Sequence, residues 1–449
     1  MRFVSAAIMA VLCASAASLQ AQTVTLTLEQ ATRAALENNL SIVQADANVG
    51  AAQAGVTAAY GGYLPTLSAS GSWNRNQTDR AGSSTANFGG GTVVIPASKS
   101  TTSNFSTGLN LNWTLFDGFA QQGQVGQASS RSIASEFTAN RTRQSIVFQV
   151  EANYLNVLRN GQLVKVSEES LKRDRRQMER INESNRVGSA SLADVYRQQS
   201  QVAGDELSLI QAQNNLDKSI ADLVALIGLD LGKEYAFVDP SISTALSPTE
   251  LDSTSAKNAN FQQLVQRAIA SRPDYKGAVE SYNASQSGVT MARSGYLPSV
   301  SAFAGYGLSS DEARTLTDNK TINWGLSVRW NLFDGFQTNN SVQSAIATRR
   351  NAEISLTQAE RDINAQVKKA LLDLEAARKQ YEVGQKALVS AGEDLKIAEE
   401  RYNLGAGTLL DMLVANANLV SAQANSINAV YNYVTSHRNL EYSLGERQY

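Results

Sequence analysis

The stretch LNWTLFDGF, residues 111–119, decides the fold because it occurs twice: VRWNLFDGF follows at residues 328–336. A second motif, GYLPTLSASGSW at residues 62–73, recurs as GYLPSVSAFAGY at residues 295–306. The first pair is separated by 217 residues and the second by 233, so the copies keep their order and differ by one length change of 16 residues. A sequence that repeats itself at this scale builds one structural unit twice.

Each copy contains two segments in which apolar and small polar residues alternate. The segments are residues 64–74 and 105–116 in the first copy and residues 297–308 and 321–333 in the second. Period-two alternation over about ten residues is typical of membrane β-barrel strands. A soluble hairpin with one buried face explains the strands by themselves as well. The Gly-, Ser- and Thr-rich residues 75–104 predict a long loop between the first two strands.

Helical patterns surround these strands. Residues 27–60 are rich in Ala and Gln and predict a helix, and residues 119–186 predict a much longer one with its copy at residues 336–403. A helix of that length extends for about 100 Å. Its apolar positions step mostly by three, four or seven, a coiled-coil spacing: Val147, Val150, Tyr154, Val157, Val164, Leu171 and Met178, with Val367, Leu371, Leu374, Tyr381, Leu388 and Leu395 in the copy.

The beginning of the chain has the pattern of a secretory signal. A charged start, an apolar run and small residues occupy residues 1–21, with a cut expected after Ala21 or, alternatively, after Ala17. The single cysteine, Cys13, lies inside this segment, and Leu12 before it does not fit a lipoprotein processing site. The sequence therefore predicts an exported protein whose mature chain has no thiol.

The repeats give the domain organisation. Residues 22–228 form the first repeat, residues 229–260 a linker richer in Pro, Ser and Asp, and residues 261–449 the second repeat. Four strands in one chain are too few to close a membrane barrel, which needs about eight. If these are membrane strands, several chains must share one barrel, because unpaired strand edges are not tolerated in lipid.

Composition and motifs argue against an enzyme and against a nucleic-acid binder. The 39 basic and 41 acidic residues lack the basic excess that nucleic-acid binding requires. The single histidine, His437, has no neighbours with metal-ligand spacing, and the sequence contains no phosphate-binding loop or nucleophile elbow. The sequence predicts no catalytic residue, no metal site and no cofactor.

Taken together, these motifs resemble the TolC family of outer-membrane efflux and secretion channels. The paired Gly-Tyr-Leu-Pro and Leu-Phe-Asp-Gly-Phe motifs and the paired Gly turns near residues 188 and 405 carry the resemblance, which covers about residues 23–447. It implies a mostly α fold with a membrane β-barrel contribution: a duplicated helix–β-hairpin–long helix–turn–helix unit. Three chains would share a 12-stranded barrel in outer-membrane lipid and an α-helical tunnel in the periplasm, with residues 75–104 and 309–320 outside the cell.

The resemblance also implies a function and partners. The protein would be the passive exit duct of a tripartite efflux or type I secretion system, in the outer membrane of a Gram-negative cell. As a homotrimer it would meet a periplasmic membrane-fusion adaptor and an inner-membrane transporter of the RND or ABC type. A secreted coiled-coil adaptor or structural protein is the alternative. The sequence does not distinguish drug efflux from protein secretion.

Two acidic residues follow the Gly turns. Ser191 with Asp194, and Thr408 with Asp411, have the spacing of a capping box that restarts a helix. By resemblance, Asp411 also faces a closed aperture near Tyr402, with Asp194 on the other turn. Three copies of Asp411 would form an acidic ring whose mutual repulsion raises the carboxyl pKa. The family's second aperture acid and its aperture arginine are replaced by Val414 and Gly407.

Two further sets of residues are candidates for function or shape. Asp117-Gly118 and Asp334-Gly335 are predicted strand-to-helix corners, in which Asp caps the long helix and Gly lets the chain turn. The charged stretch from Lys165 to Arg186 is either a solvated face or, at its end with Arg180 and Arg186, part of a docking surface. The resemblance makes the turns the adaptor-docking candidates: Arg186, Val187, Gly188, Ser191, Leu192, Leu404, Gly405, Thr408 and Leu409.

Overall fold

The computed structural model describes residues 24–86, 89, 92–238 and 260–447. The predicted signal, residues 1–21, and residues 239–259 of the predicted linker lie outside this range. The helices are α1 Leu28–Asn38, α2 Leu40–Gly61, α3 Ala120–Arg186, α4 Leu192–Ile227, α5 Phe261–Ser271, α6 Pro273–Arg293, α7 Gln337–Asn403 and α8 Leu409–Leu444. The strands are β1 Val24–Leu26, β2 Thr66–Arg80, β3 Ser83–Ala86, β4 Thr92–Ile95, β5 Ser98–Phe116, β6 Tyr235–Phe237, β7 Ser299–Ser310 and β8 Lys320–Arg329.

The compact units of the chain are not its two repeats. Among the described residues, a helical unit comprises residues 24–47, 136–238, 260–276 and 357–447, and a strand-bearing unit comprises residues 48–86, 89, 92–135 and 277–356. Each unit takes material from both copies. The predicted domains 22–228 and 261–449 therefore describe how the sequence was duplicated, whereas packing joins like elements of the two copies.

In the strand-bearing unit, four strands form one antiparallel sheet in the order β2-β5-β7-β8. The register places apolar residues opposite one another across the sheet, as in the row Ala69, Leu109, Tyr306 and Ile322. Because successive side chains of a strand point to opposite faces, one face is apolar and the other carries small polar residues. The sequence-predicted alternation is thus realised in a single sheet.

Three predicted boundaries are wrong at the strands. The predicted loop 75–104 is mostly strand, because β2 and β5 stay paired from Thr66↔Asn112 to Arg80↔Ser98, and β3 pairs with β4 beyond them. Thr is β-branched and suits a strand, but polar residues on both faces hide the alternation. Strand β8 ends at Arg329, whereas the sequence predicted residue 333.

The predicted continuous helix over residues 27–60 is also wrong, since it breaks at Asn39. There the backbone turns extended (φ −69°, ψ 123°), and the side chain donates to Leu226 O (2.8 Å) and accepts from Ser41 N–H (2.9 Å). The second copy breaks at Arg272 in the same conformation. Within the helical unit, the Asn39 side chain thus satisfies an amide at the start of α2 and a carbonyl near the end of α4, and the second of these is a long-range contact that local sequence does not reveal.

Long helices α3 and α7 agree with the sequence prediction to within one residue at each end. In the helical unit, their coiled-coil positions are buried in α3 at Val147, Val150, Tyr154, Val157, Val164 and Leu171, and in α7 at Val367, Leu371, Leu374, Tyr381 and Leu395. Met178 and Leu388 are partly buried. A smaller core cluster joins all four long helices through Ile181, Val195, Leu395, Leu409, Met412 and Ala415. This cluster packs beneath the two Gly turns.

Candidate functional site

The candidate site is built from two turns, which we name the first turn (residues 187–191, between α3 and α4) and the second turn (residues 404–408, between α7 and α8). Gly188 and Gly405 both adopt positive φ, +77° and +72°. The amide of Ser189 donates to Ser184 O (2.8 Å), and that of Ala406 donates to Arg401 O (2.8 Å). A left-handed Gly at this place ends a helix and satisfies its last carbonyls.

Capping restarts the helix after each turn, but the two caps differ. Thr408 and Asp411 form the complete reciprocal box: Asp411 N–H donates to Thr408 Oγ1 (3.2 Å), and Thr408 N–H donates to Asp411 Oδ2 (3.0 Å). Asp194 N–H donates to Ser191 Oγ (3.2 Å), whereas the carboxylate of Asp194 accepts from the Ser191 hydroxyl (2.7 Å) and pairs with Arg197. The first cap is therefore one-sided.

The electrostatics of the gate candidates follow from these contacts. Hydrogen bonds from the Thr408 backbone and hydroxyl, together with Arg401, lower the pKa of Asp411 below its ordinary value. The repulsion expected among three copies acts in the opposite direction. Burial, and then the negative charge of Asp194, raise the pKa of Tyr402. Tyr402 also packs against the cluster beneath the turns.

At the strand-to-helix corners, the predicted caps and turns are present. Asp117 Oδ2 accepts from Gln121 N–H (2.7 Å) and Asp334 Oδ2 from Thr338 N–H (2.8 Å). Gly118 has φ +69°, and a Cβ there would lie 2.7 Å from Ser294 O, so both backbone conformation and space require glycine.

Sequence reasoning missed what the aromatic residues of the corner do. Phe119 and Phe336 also adopt positive φ, +73° and +69°, which is rare for a bulky residue. Edge-to-face contacts hold both rings: Phe116–Phe119 at 5.5 Å and Phe333–Phe336 at 5.7 Å between centroids. The recurrence of Phe-Asp-Gly-Phe in both copies was the available signal.

Tryptophan links the corner to the other repeated motif. Trp113 Nε1 donates to Tyr63 O (2.9 Å) and Trp330 Nε1 to Tyr296 O (3.1 Å). Both tyrosines belong to Gly-Tyr-Leu-Pro motifs. The two repeated motifs recur together because they contact each other.

Comparison with known proteins decides the family. The model of the outer membrane efflux protein family matches residues 31–229 and 264–446. The chain belongs to this family. It is 24% identical over 431 residues to the outer membrane protein TolC of Vibrio cholerae, covering 92% of this chain and 89% of that protein. To the probable efflux pump outer membrane protein TtgC of Pseudomonas putida it is 26% identical over 423 residues, covering 93% and 82%.

Solved structures share the fold. The outer membrane protein VceC of Vibrio cholerae superposes with a TM-score of 0.76 at 20% identity, covering 93% of this chain and 96% of that one. The CmeC outer membrane channel of Campylobacter jejuni gives 0.75 at 22% identity, covering 93% and 85%. The resemblance to the TolC family and the mostly α fold with a β contribution are thereby confirmed. This efflux protein is an outer membrane channel, and the adaptor alternative finds no support.

Within the described part of this efflux protein, none of the helices combines the length and the apolar character that crossing a membrane requires. The sheet carries a broad apolar face whose side chains are exposed in the single chain: Leu67, Trp73, Leu109, Trp113, Tyr306, Ile322, Trp324, Leu326 and Val328. A contiguous apolar patch of this kind marks a surface that contacts a membrane or another protein.

One docking candidate of this efflux protein is misplaced by sequence reasoning. Leu409 is 3% exposed and belongs to the cluster beneath the turns, so it cannot itself contact an adaptor. Its repeat counterpart Leu192 is 58% exposed, and Val187 and Leu404 are also exposed. The sequence showed the same residue type at the same place in both turns and could not reveal which one packs inward.

Behind the turns of the efflux protein lies a groove of about 930 Å³. The α3 residues lining it include Arg176, Glu179, Arg180 and Glu183, and Tyr402 closes its other side. Arg186 is largely exposed beside the groove residue Glu183, with which it pairs at 2.9 Å. The groove therefore offers both signs of charge and an aromatic ring, a surface suited to a polar protein partner.

Proposed function

We propose that this outer membrane efflux channel works as a homotrimer whose three sheets close one 12-stranded barrel in the outer-membrane lipid. The observation that supports this most is the open sheet. Among the described residues, β2 and β8 each pair with a single neighbour, which leaves two edges of unpaired backbone groups. In lipid such edges must be paired, and pairing β8 of one copy with β2 of the next removes all of them.

The two faces of the sheet support the same arrangement. The exposed tryptophans and aliphatic residues suit the acyl chains and the lipid interface, while the opposite face, with Ser70, Asn110, Gly305 and Asn323, suits a water-filled passage. Each copy would contribute four strands to the wall. The barrel is then a passive opening, and the energy for export comes from elsewhere.

Disulfide cross-linking tests the trimer. Cysteines are introduced in pairs, one at Ser68, Ser70 or Ser72 in β2 and one at Thr321, Asn323 or Ser327 in β8, in a chain whose native Cys13 lies in the predicted signal. We expect oxidation in membranes to give dimers and trimers on a denaturing gel for the pairs in register. Single-cysteine variants are the control, and exclusively intramolecular products for every pair would overturn the proposal.

The partners of the channel are also a proposal. The two turns and the groove behind them offer exposed apolar residues beside charges of both signs, which suits a periplasmic membrane-fusion adaptor coupled to an inner-membrane transporter of the RND or ABC type. The adaptor surface comprises Arg186, Val187, Gly188, Ser191, Leu192, Leu404, Gly405 and Thr408, with Leu409 supporting it from beneath. Asp411, Tyr402 and Asp194 are the proposed gate.

Drug efflux and type I secretion give different phenotypes. The names of two further relatives, an antibiotic efflux pump protein and a toluene efflux pump protein of Pseudomonas putida, favour small-molecule efflux. We expect deletion of the gene to increase sensitivity to toxic small molecules, with rescue by the wild-type chain. Loss of a protein from the culture medium without a change in sensitivity would instead assign the channel to secretion.

A further inference from the structure

A cluster of polar side chains lies buried between α3, α4 and α8, close to the core beneath the turns. Asp174 of α3, Gln198 of α4 and Asn416 of α8 are 3%, 0% and 6% exposed. Gln198 Nε2 donates to Asp174 Oδ1 (3.2 Å) and Asn416 Nδ2 donates to Asp174 Oδ2 (3.1 Å). One carboxylate thus joins three helices.

A second carboxyl group faces the first. Asp205 of α4 accepts from Gln201 Nε2 (3.1 Å) and from Ser170 Oγ (3.5 Å), and Ser170 precedes Asp174 by one turn of α3. A hydrogen bond with the Asp174 side chain is one of the causes that raise the pKa of Asp205. Two carboxylates this close in a partly buried site repel each other strongly when both are ionised. A single proton between them turns the repulsion into a hydrogen bond.

The charged residues nearby do not neutralise the pair. On α3 and α4, Arg175 pairs with Glu206 at 2.8 Å, and the buried Nε and one terminal nitrogen of Arg173 have no hydrogen-bond partner. The groove that Asp174 lines carries both signs of charge, with Arg173 and Arg176 of α3 and Glu399 of α7, while α8 presents the neutral Asn416. The charge that acts on Asp205 is that of Asp174.

The architecture does not require this cluster. At the positions of Asp174, Gln198 and Asp205, the second repeat has Ala391, Ala415 and Ala422, as the 217-residue offset shows. Helices α7 and α8 have the same lengths as α3 and α4 and pack with small apolar residues there. The polar cluster is therefore an addition to one hairpin.

We propose that Asp174 and Asp205 share one proton and form a pH-sensitive clasp that holds α3, α4 and, through Asn416, α8 together in acid and loosens above neutral pH. When the proton is present, the Asp205 hydroxyl donates to the Asp174 carboxylate, whose two oxygens also accept from Gln198 and Asn416. Raising the pH releases that proton to water and leaves two facing carboxylates. This inference does not depend on the proposed trimer or on the adaptor.

The direction of the pH effect follows from the protonation states. Burial, followed by the hydrogen bond to Asp174 and its charge, raises the pKa of Asp205 to about 7. An unfolded Asp has a pKa of about 3.9. Between these values the folded protein binds a proton that the unfolded chain has lost, so stability falls as pH rises from about 4 to about 7. The clasp is therefore looser when the pH of the periplasm is neutral or alkaline than when it is acidic.

Hydrogen exchange of the full-length, detergent-solubilised protein tests the clasp, with wild type and Asp205→Asn compared at equal pH. Asn keeps the shape and the hydrogen bond but cannot ionise. We expect equal exchange at pH 5.5 for peptides covering residues 168–178 and 198–208. At pH 8 we expect exchange about tenfold faster in the wild type, the change that one pKa unit of interaction produces.

Two controls keep the test decisive. Asp217→Asn removes an exposed carboxylate from the same helix α4 and should leave exchange unchanged at both pH values. Asp205→Ala copies the second repeat and should also abolish the pH dependence, so it serves if the Asn variant folds poorly. A difference between wild type and variants that is the same at pH 5.5 and 8 would overturn the proposal. Protection of the wild type by added Ca²⁺ at pH 8 would also overturn it, by assigning the pair to a cation.

Discussion

The two helical hairpins of this efflux protein have the same dimensions but different interiors. In both, a helix of 67 residues is followed after a Gly turn by a helix of 36 residues. Yet Leu192 is exposed in the first hairpin whereas Leu409 is buried in the second, and the carboxyl pair of the first is replaced by alanines. Duplication preserved helix lengths and turn geometry, while packing gave the two copies different roles.

The largest expected effect separates Leu409 from Leu192. Leu409→Ala leaves a cavity in the cluster beneath the turns and should destabilise the start of α8 by about 2–4 kcal/mol. Leu192→Ala removes an exposed side chain and should cost less than about 0.5 kcal/mol. Hydrogen exchange over residues 405–420 and 188–203 measures both. Equal effects would mean that the two hairpins are packed alike.

The next effect concerns the second turn itself. Gly405→Val forces a β-branched residue to φ +72° and should strain the turn by about 1–2 kcal/mol. We expect export to be lost while trimers persist on a native gel. Gly405→Asn is the matched control, because Asn tolerates the left-handed region, and it should keep most activity. An active Gly405→Val variant would argue against docking at this turn.

A smaller effect distinguishes the complete cap from the one-sided one. Thr408→Ala removes the hydroxyl oxygen that accepts the hydrogen bond from Asp411 N–H, and should lower the stability of the start of α8 by about 1 kcal/mol. Ser191→Ala should cost about half as much, since its box is not reciprocal. Exchange rates of the first-turn amides of α8 and α4 report both values. Thr408→Ser should restore wild-type protection; without that rescue, the hydroxyl is not the stabilising group.

The smallest expected change in stability accompanies Asp411→Asn. Because the cap lowers the pKa of Asp411, its carboxylate contributes stability above the unfolded pKa and loses it as pH falls through the folded pKa, below about 4. At neutral pH, Asn retains the capping acceptor, so thermal stability should hardly change. If three copies of Asp411 form an aperture ring, cation selectivity and block by divalent cations in planar bilayers should both weaken.

Asp194→Asn is the control for the ring, since Asp194 pairs with Arg197 on the first hairpin. It should leave selectivity and block nearly unchanged. Unaltered conductance, selectivity and block in Asp411→Asn would reduce Asp411 to a helix cap.

Much of the architecture could be read from the sequence because the signals are local. The alternation in β5, the helix-compatible run of α3 and the Gly turn at residue 188 each depend on neighbouring residues, whose backbone preferences are fixed by their own side chains. The same is true of the cap at Thr408. Recurrence of the motifs then identified the family and the corners at Asp117 and Asp334.

What the tertiary structure alone decided depends on contacts between distant segments. The break at Asn39 relies on a carbonyl of α4, and the continuation of β2 to Arg80 relies on its partner β5. Leu409 is buried in a cluster to which three other helices contribute. In the sequence, Asp174 and Asp205 lie 31 positions apart on two different helices and have the pattern of ordinary surface charges. Only folding brings the two carboxyl groups together, because burial and proximity are properties of the packed chain and not of either residue.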